Sequence, residues 1–206
     1  MSITNGYATL AQVKRRLNIP TATTADDTDI EEAIESASRE IDKHCGRRFY
    51  ADAAATARTY YPDKPCRATV DDFYETAALV VKIDSADDGT YGTTLTLNTD
   101  YILKPLNGVV DGESGWPYWK IELVGSALFP TWTRRPSIQV TAKWGWSAVP
   151  KPVYEACRII AAANYYLKDV KFGSAGVADL GIVRVTDNPT AAAKVRPYRL
   201  HSVLVA

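Results

Sequence analysis

Two histidines, three cysteines and one aspartate-rich run are the side chains with the most obvious chemistry in this sequence. His44 and His201 lie far apart, and neither has a Cys or carboxylate at metal-ligand spacing. A His-based triad needs a nucleophile and an orienting acid, and no local signature supplies either. Asp84, Asp87, Asp88 and Gly89 offer carboxylates for a calcium loop. Such a loop needs alternating acids and a distal Glu, so the run reads instead as an Asp-Gly hairpin turn. Gly173-Ser174-Ala175-Gly176 lacks the Lys-Ser/Thr of a phosphate loop and follows a helical pattern, so it reads as a linker. The expectation is no enzyme: no catalytic residue, no cofactor and no metal.

The aromatic residues offer a different chemistry. Trp116, Tyr118 and Trp119 sit in one polar, Gly-rich segment. They fit a sugar or base platform, a protein contact, or the aromatic core of a sheet. Cys45, Cys66 and Cys157 are odd in number and have no motif spacing, which predicts free thiols in a reducing compartment.

The chain of 206 residues is long enough for one domain, or one domain with a large insertion, without a disulfide or metal staple. Its 24 basic and 24 acidic residues cancel, which argues against a dedicated nucleic-acid binder. The stretch 151–206 is mildly basic, with eight Lys or Arg against four acids. No run is long and apolar enough to span a bilayer, and no signal peptide is visible. A soluble protein made in the cytoplasm is expected.

The residues above must be positioned by elements of two periods. Thr9 caps a helix carrying Leu10, Val13 and Leu17, which Pro20 should end. Thr28 and Glu31 form a capping-box pattern for a second helix, with Ile30, Ala33, Ile34, Ala37, Ile41 and Cys45 on one face and Gly46 at its end. From Thr56 the period shifts to short runs rich in Thr, Tyr, Val and Ile: 56–61, 68–70, 78–83, 93–97, 101–103, 120–123 and 138–143. They predict an antiparallel β unit. Pro150 and Pro152 open a third helix, about 153–168, apolar from Val153 through Ile160 and widened by Ile159 and Tyr166. Glycines at 173, 176 and 181 follow, then a possible strand at 182–185 and a last small helix from Pro189, capped by Asp187 or Asn188.

The fold class is therefore α+β, in four stretches. Residues 1–54 hold the N-terminal helices, 55–145 an inserted antiparallel β unit, 146–172 the long core helix, and 173–206 an extended C-terminal tail with a short helix.

Four segments bear a family likeness. They are Tyr7-Ala8-Thr9-Leu10 with Val13 and Leu17; Asp29-Ile30 through Gly46-Arg47-Arg48-Phe49; Gly145-Trp146 through Pro150 into the helix with Tyr165-Tyr166; and Leu180-Gly181 through Arg196-Pro197-Tyr198-Arg199. In this order they resemble the gp6-like head–tail connectors, or head-to-tail adaptors, of tailed bacteriophages. The simplest members are nearly all helical, so the β unit reads as a departure.

The resemblance implies a structural virion protein at the head–tail junction, assembled in the host cytoplasm. It implies a cyclic ring, expected to be dodecameric, below the portal protein. Such a ring extends the DNA channel, passes DNA without sequence-specific binding, and docks the next head-completion or tail protein. In that reading Arg196, Tyr198, Arg199, Leu200 and Val203 anchor the tail on the portal, and Trp116 and Trp119 form an assembly contact. The alternative is a carbohydrate- or receptor-binding β module of a phage tail.

Overall fold

The computed structural model describes residues 3–167 and 185–200. The chain forms two compact units: Met1–Phe49 with Val149–Ala206, and Tyr50–Ala148. Among the described residues it is α+β, with four α-helices and antiparallel sheets.

In the helical unit, α1 spans Leu10–Leu17. Thr9 and Gln12 satisfy each other's backbone N–H groups in a capping box. The helix stops at Asn18, whose left-handed conformation (φ 58°) turns the chain before Pro20 is reached. Pro20 is thus not the terminator. Helix α2 spans Asp27–Cys45, and its N-cap is Asp26. The expected Thr28–Glu31 capping box does not form, because the helix starts two residues earlier than expected and Thr28 lies inside its first turn. The expected apolar face is buried along its whole length, from Ile30 to Cys45. Gly46 closes the helix at φ 67°.

Helix α3 spans Lys151–Leu167 and packs against α1 and α2. Val153, Ala156, Cys157, Ile160 and Ala161 are fully buried. Tyr165, not Tyr166, is the tyrosine turned inward; Tyr166 is 57% exposed. The apolar girth is therefore narrower than its composition suggests. Helix α4 spans Pro189–Val195 and packs against α3. Its cap is Asn188, whose side chain accepts from the Ala191 N–H (3.0 Å).

The β unit begins with β1 (Thr56–Tyr60), β2 (Arg67–Phe73), β3 (Val80–Ile83), β4 (Thr93–Leu95) and β5 (Tyr101–Lys104). It ends with β6 (Val109–Val110), β7 (Glu113–Ser114), β8 (Tyr118–Leu123) and β9 (Ile138–Ala142). One sheet has the order β1-β9-β3-β4, a second β2-β8-β5, and β6-β7 form a small ribbon. All the ladders are antiparallel. Alternate residues of β9 (Ile138, Val140, Ala142) and of β5 (Tyr101, Leu103) point into one shared cluster with Phe73 and Trp144. A bridge between Phe73 and Trp144 ties the two main sheets together.

Candidate functional site

The C-terminal segment does not extend away over its described part. Val185, Ala191 and Val195 are fully buried against the helical unit, which keeps three apolar side chains out of water. Past α4 the chain makes a 3-10 turn over Arg196–Tyr198. The Leu200 N–H then donates to the Cys45 carbonyl at the end of α2 (2.8 Å). Tyr198 meets Phe49 edge-on at 5.9 Å, and Phe49 meets Tyr7 likewise at 5.7 Å. Residues 185–200 are thus folded back rather than extended. Val185 lies in a 3-10 turn, not a strand. The rest of the 182–185 run, the glycine linker, Val203 and His201 lie outside the described residues.

This return path places Arg196 and Arg199, both exposed, beside His44 in the last turn of α2. The three line a cleft of about 320 Å³ with Ala192 and Ala193. Burial, and then the charge of Arg199, hold the His44 imidazole below its ordinary pKa, against a smaller opposing pull from Glu40. Tyr198 is half-buried and Leu200 is 40% exposed.

The aromatic segment is in the β unit. Trp116 and Trp119 are both half-buried, with ring centroids 6.0 Å apart. Trp116 also packs on Trp146 at 5.1 Å, and the Trp146 indole N–H donates to Asp72 (3.0 Å). The Trp116 N–H is held by the Gly108 carbonyl (3.0 Å). The trio is built into the unit and leaves part of each of the first two rings on the surface.

A more exposed aromatic is Trp132 (66%), with Leu128 (63%) and Tyr61 (56%). The loop between β8 and β9 that carries Leu128 and Trp132 is tightly held. Phe129 donates to the Pro65 carbonyl, Tyr61 to the Arg134 carbonyl, and the Arg134 and Arg135 N–H groups to Asp87. Sequence reasoning missed it; the only local signal is a Trp beside an Arg-Arg-Pro turn.

The acidic run is a β3–β4 connection. Asp84 accepts from the N–H groups of Ala86, Asp88 and Gly89. Burial pushes its carboxyl up, but these N–H donors outweigh burial and hold the pKa below its usual value. Its oxygens are occupied by backbone, which leaves them poor cation ligands. Among the described residues, no group of three His, Cys, Asp or Glu side chains is placed to hold a metal. Burial also raises the Cys45 thiol to about 12 and the Cys157 thiol to about 11, so both stay protonated at neutral pH. Among the described residues, no helix is long and apolar enough to cross a membrane.

Residues 7–104 match the family model of the phage gp6-like head-tail connector proteins. Over that stretch, just under half of the chain, the sequence is similar to the gp6-like head-tail connectors. The connector match takes in α1, α2 and β1 to β5. The match therefore runs through the first half of the β unit. The segments around Trp146 and Arg196-Pro197-Tyr198-Arg199 lie beyond the match. No curated protein matches the chain. Two solved chains share its fold over its full length and over 96% of their own. One is from the "Neck of empty GTA particle computed with C6 symmetry" (TM-score 0.57, 20% identity). The other is from the "Virion of native gene transfer agent (GTA) particle" (TM-score 0.54, 16% identity).

Proposed function

We propose that this protein is a structural connector of a phage-like particle, placed at the head–tail junction. The observation that carries the reading is the coincidence of two matches. The connector family model fits residues 7–104, and a particle-neck chain shares the fold end to end. Copies assemble as a closed ring through heterologous contacts, in which one face of a copy meets a different face of the next. The ring continues the DNA channel below the portal and offers its far side to a head-completion or tail protein. DNA passes through without sequence-specific contacts, in keeping with the zero net charge. We place portal contacts at the C-terminal end, on Arg196, Tyr198, Arg199, Leu200 and Val203. The surface-facing parts of Trp116 and Trp119 form a second assembly contact.

The test is electron microscopy of the purified chain, alone and mixed with its portal, with light scattering for mass. Closed rings that bind portal coaxially are the expected result. A monodisperse monomer that ignores portal and binds glycans on an array would overturn the reading in favour of a β module.

A further inference from the structure

We infer that His44, Arg196 and Arg199 form an anion-binding cleft whose occupant is the paired carboxylates of an acidic segment from a partner protein. The cleft wall is made of three basic side chains and two alanines, with no carboxylate among its lining residues. Among the described residues, neither guanidinium has an ion-pair partner within the chain, although ion pairs are common elsewhere in the structure, as at Arg58 and Arg158.

Two helix ends explain how the two guanidinium charges are tolerated here, with Glu40 on α2 opposing them only weakly at His44. The last turns of α2 and α4 both reach the cleft, carrying Lys43, His44 and Lys194. Their C-terminal dipoles stabilise cations nearby. The cleft is also held in shape before any ligand arrives. The Leu200 N–H fastens the 3-10 turn to α2, Tyr198 rests edge-on against Phe49, and Asn188 fixes the start of α4. Two arginines on one short turn can each take a carboxylate with two parallel hydrogen bonds. A volume of about 320 Å³ suits a pair of acidic side chains rather than a large ligand. Ala192 and Ala193 leave the wall low enough for a peptide to approach.

The inference does not require the connector reading, since the cleft belongs to one chain and is probed without portal. Hexaglutamate titrated into the full chain at low salt is the probe. Binding should weaken at least tenfold in Arg196→Gln/Arg199→Gln. It should also weaken in Ala193→Leu, which narrows the cleft without touching charge. Arg15→Gln/Arg16→Gln, which removes two exposed cations from α1, should bind like wild type. Thermal melts of each variant report whether the fold is kept. Equal weakening in the α1 variant, or no change in either cleft variant, overturns the proposal. So does inorganic phosphate or a DNA oligonucleotide binding more tightly than the peptide.

Discussion

The Tyr7 hydroxyl donates to the Asp42 carboxylate and at the same time accepts from the N–H of Phe49 (2.9 Å). One phenol thereby ties the segment before α1 to the last turns of α2 and to the residue where the chain leaves the helical unit. The contact is reinforced on both sides. The Tyr7 N–H donates to Ser38 (3.0 Å), and Arg39 pairs with Asp42 (3.2 Å) while lying 5.6 Å from the Tyr7 ring centre.

Tyr7→Phe keeps the ring packing and leaves the Phe49 N–H and one Asp42 oxygen without this partner. The expected loss is about 1–3 kcal/mol at pH 7. Burial, and then the Asp42 hydrogen bond, raise the Tyr7 pKa well above the ordinary value. A group raised in this way contributes stability that is complete below about pH 10 and falls as pH climbs beyond it. Urea midpoints at pH 7 and pH 11 should therefore diverge less in Tyr7→Phe than in wild type. Equal divergence would show that Tyr7 does not drive the alkaline loss.

Lys14 is only 2% exposed, and its ammonium donates to the carbonyls of Thr21 (3.3 Å) and Thr23 (2.5 Å) and pairs with Asp27. It closes the polar loop between α1 and α2. Lys14→Met keeps the stem and strips three acceptors of their partner. Stability should fall by about 2–3 kcal/mol, read as a lower urea midpoint with an unchanged slope.

Gly145 has φ 102°, and a Cβ there would overlap the carbonyl oxygen of Tyr50. Both conformation and space demand glycine. Gly145→Ala should cost more than 3 kcal/mol, by strain of about 1–3 kcal/mol with the overlap added. A melting temperature within two or three degrees of wild type, by an order-of-magnitude criterion, would refute the close approach.

Asp84 has its pKa held down in the folded chain. Its contribution is therefore present above the unfolded value of about 4 and lost as pH falls below it. Asp84→Ala should destabilise the β unit at pH 7 and flatten the acid side of the stability curve between about pH 4 and pH 2. An acid limb as steep as in wild type would assign that limb to other carboxylates.

The elements that a reader of the sequence recovers are those fixed by local period. The α2 face from Ile30 to Cys45 and the Gly46 stop follow from helical spacing and one glycine. Seven of the strands coincide with runs of Thr, Val, Ile and Tyr. The ribbon β6-β7 is missed because two residues per strand carry no period. The starting point of α2 is misread because Asp26 and Thr28 are both cap residue types, and the helix starts after Asp26 although that side chain makes no capping hydrogen bond. The cleft is a matter of long-range geometry: His44 and Arg196 meet only because α4 returns to α3. The signal for that return was the apolar spacing of Ala191 and Val195, which a free tail has no reason to carry. Tyr7 and Asp42 are likewise joined only by the packing of one segment on another.

The helical unit is a discontinuous one, since Tyr50–Ala148 interrupts it. During synthesis, Ile30, Ile34, Ala37 and Ile41 leave the ribosome with their covering helix still unmade. The β unit sets the terms of that wait. Its two ends are clasped, with the Asp52 N–H on the Trp144 carbonyl (2.8 Å) and Gly145 seated under Tyr50. Once it closes, the chain that will become α3 emerges beside the chain that left α2. A closure over roughly a hundred loose residues, worth about 4 kcal/mol of chain entropy, is thereby replaced by a short one. A lesion in the clasp should therefore show first as helical-unit aggregation in a nascent chain.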